Sequence, residues 1–365
     1  MRFNRSRKTE KLRRPVSNRL SVERLEDRAL MAGNVTASVQ RGVLVITGDA
    51  SDNAITVNWV QKNTYQVLSA EANSANTTVN GVDSTTANPQ TFSGVTKGIR
   101  IVMNAGNDTV TFGAPDSTAF AVAGYLQIDM GAGNDTVNLG RNETVANNVT
   151  TPENEVSIGA SVSIAMGNGN DTVNITNTTI ARDLVIHADV HGLVPSSLDG
   201  SDTVNFATTF TPEGGETAVF PVTVGGKATI MLGGGSDTLN MANFTAAKGL
   251  LVGDLGGNLN MNVTDSRVGG ELKLQKAGGA SNTINVDNVT AGTLRLNTGN
   301  GVDTITVRDS IFERLYMNTA DGKDIITIGN TTVRRGGQID GARNKARLIQ
   351  EPGNNLRSVA KVRVF

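Results

Sequence analysis

The chain contains no cysteine, which excludes disulfide staples and thiolate metal sites. Aromatic residues make up only 4%, with Trp59 the single tryptophan, so any core must be filled by Val, Ile, Leu and Met rather than by rings. The same shortage leaves few of the aromatic platforms that sugar-active enzymes usually need. Proline is scarce (8) beside 41 glycines, which suits many tight turns and argues against a disordered proline-rich tract. No apolar run reaches the roughly 18 residues of a membrane-spanning helix, and no phosphate loop, zinc spacing or nucleophile elbow is present.

Net charge is close to zero, but it is partitioned. Residues 1–28 carry ten Lys/Arg against four Asp/Glu, and residues 331–365 carry eight against two. Each end is therefore +6, which leaves −13 for the 302 residues between them. An acidic middle argues against nucleic acid along that stretch and permits cations there.

What fills the middle is one phrase, repeated. It reads Gly169-Asn170-Asp171-Thr172-Val173-Asn174-Ile175, and it recurs around Asp108, Asp135, Asp202, Asp237, Asp303 and Asp324. Degenerate copies lie at Gly257-Asn258-Leu259-Asn260-Met261 and Ser281-Asn282-Thr283-Ile284-Asn285-Val286, and a looser one opens at Ser51-Asp52-Asn53-Ala54. After each Asp, the second and fourth residues are apolar while the first and third are mostly Thr or Asn. Before it lies another alternating stretch, such as Ile99, Ile101 and Met103, or Val162, Ile164 and Met166. Strict alternation puts one face inside and one outside. A third, shorter apolar position follows at Ile180, Phe244, Val268, Val289, Ile311 and Val333.

Three apolar stretches per unit, separated by turns, predict an all-β, single-stranded parallel β-helix. Asn282, Asp303 and Asp324 stand 21 residues apart, and the earlier phrase aspartates are 27, 36, 31 and 35 apart. A minimum of 21 with additions predicts roughly nine or ten coils carrying corner insertions at 140–154, 191–199 and 207–222, with the right-handed crossover that parallel strands favour. The organisation expected is a basic N-terminal segment (1–33) and an irregular β-rich cap with a hairpin insertion (34–97). The parallel repeats (98–333) and a basic capping coil (334–365) follow. In the cap, Asn63 marks a turn between two strands, and 71–97 reads as a long loop.

Gly131-Ala132-Gly133-Asn134-Asp135-Thr136-Val137-Asn138-Leu139, with its counterparts at 167–175 and 233–241, resembles the nonamer of haemolysin-type calcium-binding proteins. The resemblance implies calcium at Asp108, Asp135, Asp171, Asp202, Asp237, Asp303 and Asp324, where glycine turns expose carbonyls and the carboxylate adds hard oxygen. Nonamers in that family follow one another directly, whereas here each stands alone in a longer unit. The competing reading is that each Asp caps its own turn by accepting backbone N–H bonds. Stacked carboxylates about 4.8 Å apart repel by about 3.5 kcal/mol at an effective dielectric near 20, and by about 1 kcal/mol in water. Calcium would remove the larger figure; hydrogen bonds and the Asn258 and Asn282 interruptions would relieve the smaller one.

The N-terminal segment closes on Leu25-Glu26-Asp27-Arg28-Ala29-Leu30-Met31-Ala32, which resembles the sorting segment of planctomycete secreted and surface proteins. It lacks the apolar stretch of an ordinary signal peptide. The resemblance implies a secreted or cell-surface location. Asp183, His187, Asp189 and His191 form the one His–Asp cluster, readable as a metal or acid–base site or as exposed polar residues beside a loop. The function expected is a non-enzymatic structural or adhesive solenoid that meets an extracellular glycan or surface protein. A carbohydrate-active β-helix, either a polysaccharide lyase or a glycan-binding module, is the alternative.

Overall fold

A computed structural model describes residues 33–70, 77–113, 119–140, 155–189, 200–206, 209–210, 218–278, 280–341 and 346–364. The N-terminal sorting segment expected at 1–33 lies almost entirely outside the described residues. So do most of the three corner insertions, apart from a two-stranded hairpin that pairs Thr209–Phe210 with Ala218–Val219.

The described chain is all β-strand and turn, and the strands build long parallel sheets. One sheet stacks the strands that follow each Asp: Thr109–Phe112, Thr136–Leu139, Thr172–Ile175, Thr203–Phe206, Asp237–Ala242, and so on to Ile325–Gly329 and Arg347–Gln350. A second stack holds the strands that precede it, from Gly98–Val102 and Tyr125–Ala132 through Val162–Asn168 to Gly337–Asp340. Short strands such as Glu155–Ile158, Thr178–Ile180, Val222–Val224 and Phe244–Ala246 make a further parallel run. The chain alternates between these stacks once per repeat, as the three-stretch pattern predicts. Register is kept across the insertions: Val137 pairs with Val173, and Val173 with Val204, although tens of residues separate each pair.

Period-two alternation explains the core. Val110, Val137, Val173, Val204, Leu239, Met261, Ile284, Ile305 and Ile326 form one in-register buried column. The Thr and Asn residues between them stay partly exposed. Burying such side chains contributes about 1.5–3 kcal/mol each relative to leaving them in water.

A glycine opens each corner because adjacent repeats nearly touch there. Gly133 has φ 142°, and a β-carbon on it would overlap the carbonyl oxygen of Gly106.

Two expectations need correction. Ile311 is exposed; its neighbour Phe312 takes the inward place, in register with Ala291 and Val333. Both residues are apolar, so parity alone decided which one the core received. Residues 77–97 are not a plain loop. They contain the strands Thr78–Val79 and Gln90–Ser93, the latter antiparallel to Thr64–Ser69, and they bury Val79 and Val95. An open edge in the cap offers hydrogen bonds that a Ser/Thr-rich segment can take as strand. The expected hairpin is present: Ala54–Gln61 returns through Asn63, at φ 62°, into Thr64–Ser69. The basic C-terminal stretch adds Arg347–Gln350 to one sheet and Val359–Val362 to the other, so both sheets continue into the last described residues.

Candidate functional site

The aspartates of the repeated phrase are buried, all at 2% exposure or less, and they stand in one row across the repeats. Each reaches into the preceding repeat rather than into its own turn. The N–H of Asn53 donates to Oδ1 of Asp108 (2.7 Å), that of Asp108 to Asp135 (2.7 Å) and that of Asp135 to Asp171 (2.8 Å). The series continues from Asp171 to Asp202 (2.8 Å) and from Asp202 to Asp237 (2.9 Å). After a break it resumes from Leu259 to Asn282 (3.0 Å), Asn282 to Asp303 (3.0 Å) and Asp303 to Asp324 (2.9 Å). The caps are therefore between repeats, which corrects the own-turn expectation. Stacked parallel strands turn these corner N–H groups toward the next repeat, and a buried N–H must be paired.

The residue before each Asp makes a second, exposed ladder in the opposite direction. The N–H of Asn134 donates to Asn107 Oδ1 (2.8 Å), that of Asn170 to Asn134 (2.8 Å) and that of Ser201 to Asn170 (2.7 Å). A third ladder lies on the outward strand face, where the Asn174 amide donates to Asn138 (2.9 Å), Asn205 to Asn174 (2.9 Å) and Asn240 to Asn205 (3.0 Å). The Gly-Asn-Asp-Thr-x-Asn phrase thus encodes three inter-repeat ladders. Sequence reading singled out only the aspartate.

It also overlooked a corner row of Asn and Asp with positive φ: Asn243, Asp265, Asn288, Asp309 and Asn330, between 45° and 52°. The signal was present, since these residues recur every 21–23 positions and their short polar side chains tolerate the left-handed region.

Asn258 does not stand in for the row. It is exposed, and Leu259 occupies the register position opposite Asp237. Asn53 and Asn282 are the amide members: both are buried, and Asn282 donates to the carbonyls of Ala280 and Thr298 (3.1 Å each).

Burial governs the electrostatics. Desolvation is the largest influence on each shifted row carboxyl, and the N–H bond from the preceding repeat opposes it. The net effect pushes Asp108 and Asp171 up to about 7, Asp135 to about 6 and Asp237 to about 8. Asp303 is raised for the same reason, although Thr298 and Asn282 also hydrogen-bond its carboxylate. Neighbouring carboxylates raise several of these further, Asp135 acting on Asp108, for example. Repulsion along the row is real but secondary to desolvation.

At Asp108, Asp135, Asp171, Asp237 and Asp324, Oδ2 is buried without a hydrogen-bond partner. These are hard oxygens of the kind calcium takes, and calcium needs six to eight of them. Among the described residues no group of three or more His, Asp or Glu converges. The donor set is one carboxylate per repeat, so backbone carbonyls or waters would have to complete any coordination shell.

The His–Asp cluster is not gathered into a site. His187 is exposed, Asp183 accepts the N–H of Lys227 (2.8 Å), Asp189 accepts that of Gly234 (3.0 Å), and His191 lies outside the described residues. An open cleft of about 380 Å³ beside the cap is lined by Trp59, Lys62, Asn63 and Tyr65, with the Tyr65 hydroxyl committed to the carbonyl of Ala121 (2.6 Å). Among the described residues, no carboxylate lines that cleft.

Compared with known proteins, the chain matches no family model, no curated protein and no solved structure.

Two outcomes follow for the row. Asp171→Ala leaves the N–H of Asp135 buried and unpaired, so it should cost about 1–3 kcal/mol in denaturant unfolding. Asp171→Asn keeps an acceptor and should cost much less. The folded carboxyls hold protons that the unfolded chain, near 3.8, has already released. Their contribution to stability is full below about pH 4 and is lost as pH rises through 6 to 8. Unfolding free energy should therefore fall from pH 5 to pH 8, by on the order of 1 kcal/mol or more per titrating carboxyl. Equilibrium unfolding across that range checks it, and a rise with pH would contradict the assignment.

Proposed function

We propose that the chain is a non-enzymatic β-solenoid with a structural or adhesive role. In this reading it is a closed parallel β-helix of roughly nine or ten coils, exported to the cell surface or beyond. The observation that carries it is the uniformity of the ladders. The same Asp positions accept a backbone N–H from the preceding repeat and the same Asn positions bond side chain to side chain, in repeat after repeat, and this favours a continuous contact surface over a pocket. The partner suited to such a face is an extracellular glycan or a surface protein. The carbohydrate-active alternative has the Trp59 cleft in its favour but finds no acid among that cleft's described lining residues.

Export rests on the resemblance of residues 25–32 to planctomycete sorting segments. Brief external proteolysis of intact producing cells, with a cytoplasmic protein as control, should remove or fragment the chain, or the chain should be found in the medium. Full protection of a cell-retained chain would overturn the surface location.

Calcium is a second reading, favoured by the orphaned Oδ2 atoms and by the resemblance to haemolysin-type repeats. In the primary reading the row stands without an ion, with the buried carboxyls of Asp108, Asp135, Asp171 and Asp237 partly protonated. Thermal unfolding at pH 8 should then give the same midpoint in millimolar calcium and in excess chelator. A rise of several degrees with calcium would assign ions to Asp108, Asp135, Asp171, Asp202, Asp237, Asp303 and Asp324 and make the fold calcium-dependent.

A further inference from the structure

One inward column of the fold changes character midway. Met103, Met130, Met166, Ala188 and Leu232 occupy it in the earlier repeats, all buried. The next two positions are Asp254 and Lys276, and Thr298 and Thr319 follow. Asp254 ends the strand Gly249–Asp254, Lys276 ends Arg267–Lys276, and the two face each other as partners on adjacent parallel strands. Both side chains are completely inaccessible to solvent, and Nζ of Lys276 lies 2.6 Å from Oδ1 of Asp254. Desolvating both charges is costly, and apolar residues of similar size fill the same column a few repeats earlier.

The surroundings fit an amide better than an ion pair. The N–H of Gly256 donates to Oδ1 of Asp254 (3.0 Å), and the carbonyl of Gly256 accepts from Nζ of Lys276 (2.6 Å). One residue thus presents a donor to the future amide oxygen and an acceptor to the future amide N–H. The other carboxylate oxygen, Oδ2, is buried with no hydrogen-bond partner. It is the oxygen that a condensation would remove.

We propose that Lys276 and Asp254 condense into an intramolecular isopeptide bond that ties two adjacent repeats together through the core. Within the pair the ammonium passes a proton to the carboxylate, giving a neutral amine and a neutral acid, the forms a dry site favours. The Nζ lone pair attacks Cγ and a C–N bond forms. A second Nζ proton joins the departing hydroxyl, the C–O bond breaks and one water leaves. No oxidant, reductant or cofactor enters the balance. Fixed strand register supplies the proximity that makes an otherwise slow amide formation accessible. The product replaces two buried charges by a neutral amide whose N–H and C=O are both paired by Gly256.

The test is peptide mapping by tandem mass spectrometry on the purified full chain after denaturation and trypsin. The expected result is a single branched peptide joining the Asp254 and Lys276 segments, lighter by one water than their sum, with no cleavage after Lys276. In Lys276→Arg, which cannot condense, the Asp254 segment should return as an unbranched peptide of its sequence mass. Cleavage after Lys276, with both peptides at their sequence masses, overturns the proposal even if the variant fails to fold. A water loss mapped instead to an Asp–Gly succinimide, at Asp199–Gly200, Asp321–Gly322 or Asp340–Gly341, with Lys276 cleaved, overturns it as well.

Discussion

Parallel strands stacked through tight glycine corners leave one backbone N–H per repeat facing the core side of the next repeat, out of reach of water. An unpaired buried N–H would cost about 1–3 kcal/mol per repeat, and almost every repeat pairs it with a carboxylate supplied from the following one. The rest of the corner follows from that bond. The glycines are needed because the approach is too close for a β-carbon, and the buried Asp is needed because its acceptor is short enough to fit beneath the turn. Where an amide would serve, as at Asn282, it is also found.

The exposed ladder from Asn107, Asn134 and Asn170 runs the other way, from the N–H of a later repeat to the side chain of an earlier one. Opposed ladders on either side of the same corner resist sliding of one repeat against the next in both directions. Their combined effect is a stiff register that survives long insertions, since the pairing of Val137 with Val173 is unaffected by the chain between them. The cost falls on the carboxylates. Burial raises Asp108, Asp135, Asp171 and Asp237 toward the physiological range, so the device that fixes the fold also makes its stability depend on pH.

The break in the row and the change in the core column occur close together. Leu259 takes the aspartate's place in its repeat, and Asp254, five residues earlier, pairs with Lys276 in the core column. This is the one place among the described residues where a buried Lys meets a buried Asp. It separates a half in which Met, Ala and Leu fill this column from a half in which Thr298 and Thr319 line it.

Much of the architecture was legible in the residues alone. Period-two alternation assigns each Val, Ile and Leu to a face without knowledge of any partner, and the repeated phrase locates the strands and their corners. Where two apolar residues were adjacent, as at Ile311 and Phe312, the pattern gave no parity and the exposed one was chosen wrongly. The direction of the aspartate caps, the reverse ladder before them and the meeting of Lys276 with Asp254 were decided by tertiary structure. Their partners lie about 21 to 36 residues away along the chain and become neighbours only through stacking. An aspartate in a turn can accept an N–H from its own turn or from the next repeat. Local sequence leaves that choice open, and the register of packed repeats makes it.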